Sequence, residues 1–396
     1  MLNPRLAHLV DYPFDRLRAL LRDVSPPRGL VQHWLSVGEP RHAPPDMLQE
    51  TLFRHSDGWG RYPPVEGTPE FRQAVADWLN RRYRLPAGLV DPDRHVLPVA
   101  GTREALFLIA TVVLDAASSA NPPVVVMPNP FYQVYYGAAV LAGAEPCYLP
   151  ATAATGFLPR PDDLPPAALD RVRLIYLCSP ANPQGASLSR ADLLGWIGLA
   201  RARDALLVVD ECYAEIYDRV QPPGALEACA DLGCGLANVL VFHSLSKRSS
   251  VPGLRSGFVA GDARVIDSFR RVRAFGGAAQ PLPVLAASAA LWRDEAHVAA
   301  NRALYRSKLD IAERLLSGRF GFYRPAGGFF LWLDVGDGEA AAVRLWSEAG
   351  VRVLPGRYLA KPDSRFGDPG RPFIRIALIE SPAATEDALT RLVSIL

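Results

Sequence analysis

Four short runs are apolar throughout rather than alternating: residues 124–127 (Val-Val-Val-Met), 174–177 (Leu-Ile-Tyr-Leu), 206–209 (Leu-Leu-Val-Val) and 239–242 (Val-Leu-Val-Phe). A strand reads that way when both of its faces are buried. Between the runs lie segments with apolar residues at helical spacing, such as residues 190–203. This alternation predicts an α/β fold whose mostly parallel sheet is covered by helices on both faces. In such sheets ligands collect beyond the carboxyl ends of the strands.

The chain has 396 residues, enough for two units with their own cores. After about residue 285 the pattern changes. A long helical stretch at 295–316 leads to strand-like 329–333, a helix at 339–348, strand-like 351–354 and 373–378, and a final helix. The expected division is a large unit over 46–285 and a smaller α+β unit over 286–396. Residues 1–45 are too few to fold alone and are expected to pack on the small unit or on a partner subunit. Residues 361–370, rich in Pro, Gly, Asp and Ser, read as a loop.

A net charge of +2 with both signs interspersed offers no basic face to nucleic acid or to an acidic membrane. No apolar run reaches the length of a membrane span. The first 21 residues carry Asp11, Asp15 and several arginines instead of the apolar stretch of a signal peptide, so a cytoplasmic location is expected. The five cysteines (Cys147, Cys178, Cys212, Cys229 and Cys234) are odd in number and form no Cys-x-x-Cys, which suits reduced thiols. Cys178 and Cys212, in or beside apolar strands, read as small core residues. The seven histidines show no ligand spacing, so no metal site is expected.

The chemistry concentrates around Lys247, in Ser244-Leu245-Ser246-Lys247 followed by Gly253, Arg255 and Gly257. A lysine amine forms a Schiff base with an aldehyde when its surroundings lower its pKa. Hydroxyls and a fixed arginine beside it suit a phosphate. Together they point to pyridoxal 5'-phosphate (PLP), with a surface lysine in a Ser-rich loop as the plain alternative. Asp210 ends an apolar strand, where a carboxylate needs a partner. A protonated pyridine nitrogen is such a partner and keeps the ring an electron sink; a helix N-cap is the alternative. Tyr213 could bond the ring's phenolic oxygen, as could Asn182, which otherwise marks an Asn-Pro turn.

Gly101, Thr102 and Arg103 open a helical pattern after the apolar run 96–99, either as an ordinary helix start capped by Thr102 or as a phosphate cradle. Tyr132 could stack on the pyridine ring or serve the core. Arg375, alternating with apolar residues, needs an anion, either a protein carboxylate or the α-carboxylate of an amino acid.

These residues occur in an order that resembles the class I/II aminotransferases, which are fold-type-I PLP-dependent transferases. The resemblance spans Gly38-Glu39-Pro40, Tyr62 through Gly67, Gly101 to Ala105, Asn182-Pro183, Asp210 with Tyr213, Ser244-x-Ser246-Lys247, Pro252 to Gly257 and Arg375. It implies a seven-stranded large-unit sheet and PLP bound through Lys247, which also shuttles the proton. Asp210 would meet the pyridine nitrogen, and Asn182 and Tyr213 the phenolic oxygen. Gly101, Thr102, Ser244, Ser246 and Arg255 would hold the phosphate. Tyr62 would reach the phosphate of a neighbouring subunit, which implies a homodimer. Gly38 would line the substrate site, and Arg375 would bind the substrate carboxylate.

Residues 38–42, 128–133, 210–213, 247–253, 258–262 and 353–356 resemble more closely the N-succinyldiaminopimelate aminotransferases of lysine synthesis. Residues 181–185 and 276–281 depart from that group's wording, and the second stretch is expected near the substrate. The distal carboxylate of such substrates calls for a second cation, with Arg41 and Arg248 as candidates. The rival expectations are a broad aspartate or alanine aminotransferase, a carbon–sulfur lyase, and a non-catalytic PLP-fold regulator. The last is disfavoured because no helix-turn-helix precedes residue 45.

Overall fold

The computed structural model describes residues 2–115 and 121–396. Its strands are β1 (His33–Trp34), β2 (Val96–Val99), β3 (Val124–Asn129), β4 (Glu145–Pro150), β5 (Val172–Cys178), β6 (Leu206–Asp210), β7 (Val239–Ser244), β8 (Gly257–Gly261), β9 (Phe330–Asp334), β10 (Val351–Arg352), β11 (Leu354–Pro355) and β12 (Phe373–Ala377). Seven of them form one mixed sheet in the order β2-β8-β7-β6-β5-β3-β4. Every neighbour pair is parallel except those of β8, which runs antiparallel to both β2 and β7. This is the α/β fold expected from the apolar runs.

The runs are apolar throughout because alternate residues enter two different cores. Leu207, Val209, Val239 and Val241 pack on one face with Trp196 and Trp292. Val208, Leu240 and Phe242 pack on the other with Tyr135 and Phe269. Each such side chain, taken fully from water, contributes about 1.5–3 kcal/mol. A polar residue inside these strands would therefore be costly. In β3, β6 and β7 the polar residues gather at the carboxyl end, at Asn129, at Asp210 and at His243 with Ser244.

The smaller sheet is antiparallel, in the order β11-β12-β9. It packs with the helices Ala296–Leu316, Gly338–Ala349 and Pro382–Ile395. The single strand expected over 351–354 is divided: Val351 pairs with His33 in β1, while Leu354 pairs with Arg375 in β12. The chain changes sheets at Val353, so no continuous ladder forms. The N-terminal segment joins this region, with Leu17 and Leu21 buried against Trp332, Trp346 and Tyr358. Residue 285 falls inside the helix Leu282–Arg293, which buries Leu285, Leu291 and Trp292 in the core of the large sheet. We propose that the division between the units follows that helix. Among the described residues no helix is long and apolar enough to cross a membrane, and no cluster of His, Cys, Asp and Glu could hold a metal ion.

Candidate active site

Beyond the carboxyl ends of β5, β6 and β7 lies a cleft of about 570 Å³. Its walls include Gly38, Thr102, Arg103, Tyr132, Asn182, Asp210, Tyr213, Ser244, Ser246, Lys247, Arg255 and Arg375. The strand ends bring these residues together from positions more than 300 apart in the chain.

Lys247 lies on the short helix Leu245–Arg248, which Ser244 caps by accepting from the Ser246 N–H at 3.1 Å. The Lys247 Nζ donates to the Gly38 carbonyl at 2.5 Å. Burial pushes its pKa down to about 8; Arg375 and Arg103 act in the same direction, against Cys212 and Glu39. The free amine, which is the nucleophilic form, is thus within reach near neutral pH.

Asp210 is 5% exposed. Its Oδ2 accepts from the Tyr135 hydroxyl at 2.8 Å and its Oδ1 from the Cys212 N–H at 3.2 Å. Burial raises its pKa against those hydrogen bonds. No helix starts at Asp210, so it is not an N-cap. Among the described residues no ion pair reaches this carboxylate. A cation in the cleft would therefore be strongly favoured beside it.

Arg375 is 4% exposed and also lacks a carboxylate partner among the described residues. It donates through Nη1 to Asn182 Oδ1 (3.1 Å) and through Nη2 to the Ser36 carbonyl (2.8 Å), while its Nε has no partner. Burial lowers its pKa to about 10, leaving it charged at neutral pH. A buried guanidinium bonded only to neutral oxygens, with a spare donor, suits a substrate carboxylate. Tyr213 faces Phe329 and Phe330 edge-on, and burial holds its phenol protonated.

Gly101 has φ +86°, and a Cβ there would meet the Arg255 guanidinium at 2.0 Å. Arg255 thus packs directly over the Gly101 backbone. Thr102 does not cap the helix; its hydroxyl lies 3.2 Å from Cys212 Sγ. Arg103 Nε donates to the Tyr132 hydroxyl at 2.8 Å, and Tyr132 meets Tyr135 edge-on. Gly38 approaches Phe330 so closely that a Cβ would lie 2.5 Å from its ring. Tyr62 is fully exposed and does not line this cleft.

Three sequence expectations are corrected. Arg41 is half exposed beside Glu380, at 3.6 Å, and lies outside the cleft. Arg248 is buried between Trp78 and Trp292 and bonds Leu291, Asp294 and Glu295. Neither lines the cleft; besides Arg375 and Arg255 the arginine that does is Arg103, near Tyr12 and Tyr132. Residues 276–281 do not line the cleft, because Gln280 and Ala278 bond back to Arg255 and Glu104. Cys178 and Cys212 are buried as expected, yet they also line the cleft.

Sequence reasoning missed Tyr135, Tyr12 and Phe14. Tyr135 carried a signal: it follows Tyr132 by three residues on the helix Gln133–Leu141 and stacks on Tyr176 at 4.6 Å. Tyr12 and Phe14 carried none, since their approach to the cleft depends on the packing of the first helix.

The family model "Aminotransferase class I and II" matches residues 31–395. The chain belongs to the class I and II aminotransferases. This aminotransferase is 36% identical to the 4-dedimethylamino-4-oxo-anhydrotetracycline transaminase OxyQ of Streptomyces rimosus, over 98% of this chain and 100% of that one. It is 30% identical to the LL-diaminopimelate aminotransferase of Moorella thermoacetica, over 98% and 96% of the two chains. The crystal structure of an aminotransferase from Neisseria meningitidis superposes with a TM-score of 0.94 at 40% identity, covering 99% of each chain. The fold is that of fold-type-I aminotransferases, and the cofactor of the family is PLP. The cleft fits that cofactor. It offers a buried carboxylate lacking a cation, a lysine with a lowered pKa, and an arginine packed on a glycine that no side chain could replace.

Proposed function

We propose that this aminotransferase exchanges an amino group between glutamate and N-succinyl-2-amino-6-oxopimelate, giving 2-oxoglutarate and N-succinyl-LL-2,6-diaminopimelate. The observation that carries this reading is that three arginines line one cleft, Arg375, Arg103 and Arg255, none with a carboxylate partner among the described residues; with Arg255 given to the phosphate, Arg375 and Arg103 are left for two substrate carboxylates. 2-Oxoglutarate carries two carboxylates and N-succinyl-2-amino-6-oxopimelate three, so each has at least one beyond its α-carboxylate. The resemblance to succinyldiaminopimelate enzymes supports the acyl substrate, and the diaminopimelate relative supports its carbon skeleton.

In this reading Asp210 holds the pyridine nitrogen of PLP, while Asn182 and Tyr213 hold its phenolic oxygen. The Gly101, Thr102 and Arg103 backbone, with Ser244, Ser246 and Arg255, holds the phosphate. When bound, PLP supplies the aldehyde for amine exchange and a ring that draws electrons from the substrate Cα–H bond. Lys247 Nζ takes the Cα proton and returns it, first as general base and then as general acid. Gly38 accepts from that amine and borders the substrate. Arg375 clamps the α-carboxylate, and the Arg103 side chain receives the distal one. Tyr132 walls the ring and orients Arg103. Tyr62, with the exposed Phe53, Trp59 and Phe275, supports a homodimer in which Tyr62 meets the partner's phosphate.

The same two arginines favour a second reading, a general aspartate aminotransferase. The likeness to OxyQ adds a ring ketone as a further candidate acceptor. Purified, PLP-loaded protein is assayed with 2-oxoglutarate against N-succinyl-LL-diaminopimelate, LL-diaminopimelate, aspartate and alanine, with glutamate as the readout. A kcat/KM for the succinylated donor at least about tenfold above the others, a gap of 1.4 kcal/mol, supports the proposal. Equal or higher values for aspartate or unacylated diaminopimelate overturn it.

A further inference from the structure

Behind Lys247 passes the helix Ala296–Leu316, and its Asn301 is 7% exposed. Asn301 Nδ2 donates to two main-chain carbonyls, Lys247 at 3.0 Å and Arg248 at 3.1 Å. Its Oδ1 is therefore an acceptor, and it lies 2.6 Å from His42 Nδ1. That nitrogen must carry the imidazole hydrogen, which leaves Nε2 as an acceptor. The donor to Nε2 is Lys308 Nζ at 2.7 Å, which also donates to the Leu378 carbonyl at 3.0 Å. Every donor and acceptor in the series is assigned without conflict.

Lys308 is fully buried and, among the described residues, makes no ion pair within 4 Å. Burial holds its pKa at about 8, with Glu380 acting in the opposite direction. Burial also lowers the His42 pKa, and the Lys308 charge adds to it while Asn301 opposes it. The titratable groups facing the His42 ring are Lys308 and Tyr305, whose ring lies 4.4 Å away. A protonated His42 would point an N–H at the Lys308 ammonium, so the neutral ring is favoured.

The other end of His42 grips the same region. Its carbonyl accepts from Ser250 Oγ at 2.9 Å, and it follows by four residues the Gly38 carbonyl that receives Lys247 Nζ. The segment bearing Gly38 and the segment bearing Lys247 are thus tied at two points through one residue, by the His42 ring through Asn301 and by the His42 carbonyl to Ser250.

We propose that Lys308, His42 and Asn301 form a positioning relay that fixes the Lys247 main chain against the Gly38 segment, and that His42 serves it only as the neutral Nδ1–H form. None of the three lines the cleft. They act through Lys247, and the inference rests on Lys247 being the reactive amine.

The test uses PLP-loaded protein and reads the pH midpoint of its visible absorbance change, the kcat and KM split, and the melting temperature. Lys308→Met provides a background without the buried charge. In it His42→Asn keeps an amide donor where Nδ1 stood, whereas His42→Leu has none. His42→Leu/Lys308→Met is expected to move the midpoint by about 1 pH unit and to lower kcat about tenfold with little change in KM. His42→Asn/Lys308→Met is expected to restore most of both at a similar melting temperature. Asn301→Asp, which sets carboxylate oxygen against the two carbonyls, is expected to behave like the Leu variant. Wild-type midpoints and kcat in all three variants, with only the melting temperature lowered, would overturn the relay. Lys247→Ala separates the two ideas: if it keeps the absorbance titration, Lys247 is not the reactive amine, and the reading beneath the relay fails first.

Discussion

The Lys247 ammonium and the Gly38 carbonyl meet at 2.5 Å, across 209 positions of sequence. Gly38 follows β1, which pairs with β10 in a separate two-stranded sheet, and Lys247 follows an inner strand of the large sheet. The contact therefore ties the N-terminal segment to the end of a large-sheet strand, inside the cleft that both residues line. Replacing Lys247 by alanine is predicted to lower kcat at least about 1000-fold, within the range for loss of a general acid–base group. Steady-state turnover with circular dichroism as a fold control checks this.

Asp210 gives a second prediction. Asp210→Asn keeps the shape and the Cys212 N–H contact but removes the charge that would hold a cationic ring. A loss of about 100- to 1000-fold in kcat is expected, as for removal of one preorganised electrostatic partner. The cofactor dissociation constant should rise in the same variant, read by fluorescence titration.

The two arginines should separate by substrate. Arg375→Ala is predicted to raise KM for every amino donor about 10- to 100-fold, the worth of charge-assisted hydrogen bonds. Arg103→Ala should raise KM for dicarboxylate substrates alone and leave alanine within about twofold. A uniform effect of Arg103→Ala would place its side chain on the cofactor rather than on the distal carboxylate.

Gly101 is a backbone prediction. At φ +86° and ψ 144° a side chain is strained by about 1–3 kcal/mol, and the Arg255 guanidinium occupies the space. Gly101→Ala should weaken retention of PLP on dialysis, because Arg255 must move from its place.

The pH dependence follows from the lysines. Unfolded, Lys247 and Lys308 titrate near 10.5; folded, both are held near 8. Between these values the unfolded chain binds more protons, so both groups make stability rise with pH across that window and weaken the fold below it. In cofactor-free protein, denaturant unfolding from pH 8 to 10 should show wild type gaining on Lys308→Met as pH rises. A constant difference would contradict the depressed pKa.

Much of this was legible in the sequence because the large sheet is simple. Runs such as Val239–Phe242 are apolar throughout, as a doubly covered strand requires, and the candidate site residues stand at or just past the strand ends. The proposed distal cation was not legible. Arg41, Arg103 and Arg248 are alike in sequence, and only packing shows that Trp78 and Trp292 enclose one, Glu380 draws another aside, and the third lines the cleft. His42 and Asn301 were hidden for a similar reason: their meaning lies in a series of hydrogen bonds spanning 266 residues. Residues 351–354 misled because a run of β-favouring residues does not reveal that its two halves pair with different sheets.

The chain contains three lysines: Lys247, Lys308 and Lys361. That makes one measurement unusually direct. PLP-loaded protein is reduced with borohydride, digested, and mapped by mass spectrometry for the pyridoxyl group. The group is expected on Lys247 alone, at close to one per chain. Its appearance on Lys308 or Lys361, or on no lysine in protein that retains the cofactor, would contradict that assignment.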